Sequence, residues 1–158
     1  MRGVTPCFAL ALLALGCSTG SGEPVTLSFV GDVLLDSKAG RAMARGEDRL
    51  AQVAGLLDAD FSIANLECPV ATSGAAVDKV YTFRAEPSTL PRLHQYFDAV
   101  SVANNHSGDY GPRAFQETLE HLRKAQLPYF GGGRELAEAH ASADAQEARC
   151  HDRAARLR

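Results

Sequence analysis

Asn104, Asn105, His106 and Asp109 place two amides, an imidazole and a carboxylate close together in one short segment. An apolar run, Phe97 to Ala103, leads into them, and Gly108-Asp109-Tyr110-Gly111 turns the chain away. Side chains of these types ligate metals, transfer protons or hold phosphate. Two earlier segments repeat the arrangement. Val25 to Val30 alternates, is rich in β-formers and stops at Gly31-Asp32; Asp60 to Leu66 carries Asn65 and runs into Glu67.

Asp32, Glu67 and Asn105 are oxygen donors, and His106 is a ring nitrogen donor or a general acid. Such a mixed set suits Mn, Fe or Zn in a phosphoesterase-like site, where metals activate a water and a protonated histidine donates to the leaving group. Each residue also has a plainer reading. Asp32 and Asp36 can close turns, and Asn104 and Asn105 can occupy left-handed turn positions. Asn65 can bond backbone at its strand end, and Glu67, ahead of Cys68-Pro69, can be a solvated loop carboxylate. Asp109 lies where it can cap the helix that follows. His94, His121, His140 and His151 lack neighbouring ligands in sequence and read as exposed.

Elements must carry these groups to one place. Ala39 to Leu57 predicts a helix with Ala42, Leu50, Val53, Ala54 and Leu57 on one face, interrupted by Gly46 and Gly55. Val80 to Phe83 reads as a short strand, and Ser88 to Tyr96 as a short helix opened by Pro87. Ala99 to Ala103 is the third main strand. Pro112 to Gln126 is the clearest helix, with Phe115, Leu119 and Leu122 at helical spacing. Leu127 to Phe130 is a fourth short strand. Gly131-Gly132-Gly133 then leads to a helix from Arg134 to about His140. The triglycine can cradle an anion, but it lacks a Lys-Ser/Thr partner and reads as a turn.

Strands alternating with helices predict βαβ units, an α/β fold and a largely parallel sheet. Functional groups in such sheets gather at the carboxyl ends of the strands. Right-handed crossovers then bring Asp32, Glu67 and the Asn104-Asn105-His106 run to one edge.

The 158 residues suffice for one domain, and 46 % of them are hydrophobic, enough to build a core. A net charge of −3 spread over the chain leaves no basic stripe for nucleic acid. Residues 1–17 read as a lipoprotein-type signal: Met1-Arg2, an apolar Phe8–Leu15 too short to span a bilayer, then Gly16-Cys17. Cys17 would be lipidated, residues 18–24 would form a flexible tether, and the protein would be exported to a membrane surface. An ordinary secretory signal is the alternative. Cys68 and Cys150 remain; Cys68 reads as a small buried residue, with a disulfide between them as the other reading. Residues 25–140 form the domain. Residues 141–158 are rich in Ala and Arg, carry no strand signal and read as a foreign or out-of-frame tail.

Phe29-Val30-Gly31-Asp32, Ala64-Asn65-Leu66-Glu67, Phe83-Arg84-Ala85 and Val102 to Gly111 occur in this order. Together with Gly131 to Ala139 they resemble the capsule synthesis CapA family. The resemblance implies a metallophosphatase-like αββα sandwich. It places Asp32 and Glu67 at first-metal and bridging-metal positions, Asn105 as a metal-binding amide and His106 as the proton donor. It implies an anionic capsular polymer of the poly-γ-glutamate type, or membrane synthase components, as partners. Family members are longer, and their later half carries further His-containing motifs that are not found here. The expectation is therefore the first half of the sandwich, with apolar surface that favours aggregation. A non-catalytic polymer-binding or assembly subunit and an inactive truncated product are the alternatives.

Overall fold

The computed structural model describes residues 24–141. The signal segment, Cys17, Cys150 and the tail after Ala141 lie outside the described residues. Four strands, β1 (Leu27–Val33), β2 (Phe61–Leu66), β3 (Ala99–Ser101) and β4 (Tyr129–Phe130), pair in parallel in the order β1-β2-β3-β4. The expected α/β architecture is therefore present. Spatial order equals chain order, so every crossover steps the same way. Right-handed steps of that kind lay the connecting helices on one face of the sheet.

The helix layer consists of α1 (Lys38–Ala44), α2 (Leu90–His94), α3 (Gly111–Lys124) and α4 (Leu136–Ala139). Among the described residues no helix is long and apolar enough to cross a membrane. The core joins Ala64, Leu66, Val100 and Val102 of the sheet region to Leu90, Leu93, Phe97, Leu119 and Leu122. Cys68 is buried as expected, and burial pushes its thiol up to about 11. The other sheet face is thinly covered at β1, where Leu27 is 57 % and Phe29 69 % exposed. Their β2 partners Phe61 and Ile63 are half-buried. The described residues thus supply one sheet with helices, the partial sandwich that the sequence implied.

Five local expectations are corrected. The helix expected over 39–57 is broken. It ends at Ala44, Gly46 adopts φ 92°, and the chain resumes as a 3-10 helix, Ala51–Leu56. Between them Asp48 accepts from the backbone N–H groups of Leu50 and Ala51 and from the Tyr96 hydroxyl, so a tertiary anchor outweighs helix periodicity. Residues 80–83 form no strand; only an isolated bridge, Val70 to Ala85, pairs this region. Val80 and Tyr81 face solvent because no strand lies beside them. Strand β1 does not stop at Gly31 but runs to Val33. His94 and His121 are half-buried, not exposed, the latter beside Glu117 at 3.2 Å.

Helix α3 ends two residues before the expected Gln126. The Gln126 N–H donates to the Arg123 carbonyl and the Leu127 N–H to that of Leu122, with Gln126 at φ 56°. This is the bond pattern of a left-handed C-terminal cap, with glutamine where glycine is usual.

Candidate functional site

Asp32 reaches the site through an irregularity in β1. Phe29 pairs with Ile63, but the next pair is Asp32 with Asn65, so β1 carries one residue more than β2 over this stretch. Alternate strand residues face opposite sides, so one extra residue reverses the side on which everything beyond it points. In regular pairing Gly31 would stand opposite Asn65 and Asp32 would point into the helix layer. The bulge turns Asp32 to the Asn65 side instead.

Asn65 is the strut of the cluster. Its Nδ2 donates to Asp32 Oδ1 at 2.8 Å and to Glu67 Oε2, while its Oδ1 accepts from Asn104 Nδ2 at 3.1 Å. The amide therefore bridges two carboxylates and does not serve the backbone. Backbone bonding falls to Asn104, whose Nδ2 also donates to the Leu66 carbonyl. Asn104 Oδ1 accepts from the His106 N–H and the Ser107 hydroxyl. No asparagine here is left-handed; among the described residues Gln126 is the only non-glycine with positive φ. Asn105 is exposed and offers its backbone carbonyl to Lys79 Nζ at 2.9 Å.

His106 stands between two carboxylates. Its Nδ1 lies 2.7 Å from Asp109 Oδ2, and its Nε2 lies 3.9 Å from Glu67 Oε1. The second separation is too long for a direct hydrogen bond. The Phe83 ring packs on the imidazole at 4.6 Å between centroids, tilted by 52°. Asp109 is fully buried and does not cap α3, whose N-cap is Tyr110 with no side-chain bond. Instead it accepts from Lys79 Nζ at 2.6 Å, from the Phe83 N–H at 2.9 Å and from the His106 ring. Burial pushes its carboxyl up. The bonds from Lys79, His106 and the Phe83 N–H outweigh that and hold it below the ordinary carboxylate value.

Residues 71–85 form a strap that brings Lys79 and Phe83 to the site. Glu117 of α3 clamps its start, accepting from the N–H and hydroxyl groups of Thr72 and Ser73. Arg84 closes its end: the backbone N–H donates to Asp36 Oδ2, and the guanidinium stacks 4.2 Å over the Tyr110 ring. Gly74, at φ 88°, passes so close to Tyr110 that a Cβ there would sit 2.2 Å from its carbonyl oxygen. Asp36 therefore anchors the strap in addition to its place beside α1.

Asp32, Glu67 and His106 converge as the sequence predicted, and their donor types suit Mn, Fe or Zn. The geometry is less than a metal centre. Asp32 and Glu67 are tied to one amide, and among the described residues no three His, Cys, Asp or Glu side chains are grouped to hold an ion. These residues therefore do not by themselves fit a metal, and no chemical step is derived through one. The triglycine is no anion cradle either. A Cβ on Gly132 would strike Val102 and Phe115, and Glu138 already takes the Arg134 N–H. It is the turn the sequence suggested.

Sequence reading missed Lys79, Glu117 and the strut role of Asn65. Lys79 lies in an exposed polar loop thirty positions from Asp109, and no spacing rule links the two. Phe83 was singled out by the Phe83-Arg84-Ala85 segment, but only the fold shows that it rests on the imidazole.

A parallel α/β sheet with carboxylates, amides and an imidazole at the carboxyl ends of its strands defines a class of proteins that work at that edge. The model of the bacterial capsule synthesis protein family PGA_cap matches residues 26–150, and the chain belongs to that family. The capsule biosynthesis protein CapA of Bacillus anthracis is 27 % identical over 119 residues, 70 % of this chain and 29 % of the relative. The PGA biosynthesis protein CapA of Bacillus subtilis is 27 % identical over 127 residues, 77 % of this chain and 33 % of the relative. The chain thus spans about a third of the length of these curated relatives.

Proposed function

We propose that this protein acts in the synthesis or anchoring of a bacterial capsular polymer of the poly-γ-glutamate type, with the strand-end cluster as its working site. Family membership and the names of the two relatives support the biological setting. The observation that carries the site is the arrangement of His106. A buried carboxylate holds one ring nitrogen, and the other faces Glu67. An imidazole so held gives or takes a proton at its second nitrogen, which is what cleavage or transfer of a polymer linkage requires. A metallophosphoesterase reaction is the finer form of this reading, and it needs ligands beyond those described here.

The segment ending at Cys17 supports export and a lipid anchor at the membrane. That location suits contact with an anionic polymer or with membrane synthase components. A second reading, a polymer-binding or assembly subunit without catalysis, is favoured by one observation: Asn65 ties one oxygen of each carboxylate to an amide within the protein.

Gene deletion and complementation separate the readings. In the bacterium that carries the gene, deletion is expected to lower surface polymer, with wild type restoring it and His106→Ala failing to. Restoration by His106→Ala selects the assembly reading. Unchanged polymer after deletion removes the capsule role.

A further inference from the structure

We propose that Lys79 is a positioning residue for His106, acting through Asp109 so that the ring presents Nε2 to Glu67 and the end of β2. Lys79 Nζ meets Asp109 Oδ1 at 2.6 Å, and the other carboxylate oxygen meets His106 Nδ1 at 2.7 Å. Asp109 is fully buried, whereas Lys79 is 36 % exposed at the side chain. A buried carboxylate needs a partner charge or several donors. Here the Lys79 ammonium supplies the charge, and the Phe83 N–H and the imidazole complete the set.

An ionised carboxylate only accepts hydrogen bonds, so the ring nitrogen facing it must carry the hydrogen. His106 is thereby held as the Nδ1–H form. Its Nε2 is turned to the Glu67 side, 3.9 Å from Oε1 and beyond direct hydrogen-bond reach. This is the logic by which a buried aspartate orients a histidine in hydrolytic triads, where replacing the carboxylate by an amide selects the wrong tautomer. Lys79 adds a second restraint. The same ammonium holds the Asn105 carbonyl at 2.9 Å, so one side chain braces the turn on both sides of His106. The strap places it there: the Val77 N–H donates to the Asp109 carbonyl, and the Phe83 ring limits rotation of the imidazole.

This inference rests on His106 being the working residue of the proposed site. Its test reads the ring directly and does not depend on activity. Nitrogen-15 spectra of the full chain report the tautomer of the neutral imidazole. Wild type is expected in the Nδ1–H form alone, and an Nε2–H ring overturns the proposal. Asp109→Asn is expected to shift the ring to Nε2–H. Lys79→Met is expected to lose the single tautomer and give a mixture, while Lys79→Arg restores it. A folded Lys79→Met protein that keeps the pure Nδ1–H form overturns the proposal and leaves Lys79 as a counter-charge to Asp109 alone. If Lys79→Met does not fold, Lys79→Gln, which keeps a donor without the charge, is judged by the same two outcomes. If neither folds, the wild-type and Lys79→Arg spectra decide: both rings in the Nδ1–H form uphold it, and any other pair overturns it. Polymer complementation by His106→Ala fails or succeeds separately, so the function and the positioning role are distinguished.

Discussion

Asp32 and Asn65 face each other across β1 and β2 only because β1 carries one extra residue between Phe29 and Asp32. The amide then bridges Asp32 to Glu67, and like charges that would repel share a donor. Asn65→Leu keeps the approximate volume and removes that donor. The variant is expected to lose about 2 kcal/mol in denaturant unfolding, since bonds to charged groups exceed neutral ones. A change too small to measure would show that the two carboxylates need no strut.

Glu117 should make the fold acid-sensitive. Bonds from Ser73 lower its carboxyl most; burial opposes them, and Thr72 and His121 add to the lowering. A carboxylate lowered in the folded state stabilises it above the unfolded value, and that stability is lost as pH falls below it. Wild type should therefore weaken from about pH 4.5 downward. Glu117→Gln should be less stable by about 1 kcal/mol at neutral pH. The gap should close in acid, read by urea midpoints across pH. A gap that stays constant with pH would mean the clamp does not depend on charge.

Gln126 sits at φ 56°, where a side chain is strained and glycine is not. It is exposed, so its removal forfeits little packing. Gln126→Gly is expected to stabilise the protein by about 1 kcal/mol, the order of the left-handed penalty. Thermal unfolding checks the sign; a lower midpoint would contradict the strain argument.

Phe29, 69 % exposed beside Leu27 on the thinly covered face of the sheet, should promote self-association. Phe29→Thr keeps a β-former and removes the ring. Light scattering of the folded protein should fall, with little change in unfolding midpoint. Unchanged scattering with a clear loss of stability would show instead that the ring is packed.

Much of the fold was legible because short-range pattern encodes it. Phe115, Leu119 and Leu122 announced α3, and alternation announced β1. The order of strands and helices was enough to predict a parallel sheet with Asp32, Glu67 and His106 at one edge. The helix expected over 39–57 failed where Asp48 found partners in Tyr96 and Arg92, forty-odd residues away. Periodicity carries no record of such partners.

The sequence by itself determined the element order, the parallel topology, the residue types at each strand end and the family they resemble. Only the tertiary structure decided which side of β1 Asp32 faces, because a bulge is a property of pairing and not of one strand. Only it joined Lys79 to Asp109 and Asp109 to His106. Those bonds form between groups brought together by the closing of the whole sheet, and spacing along the chain does not specify them.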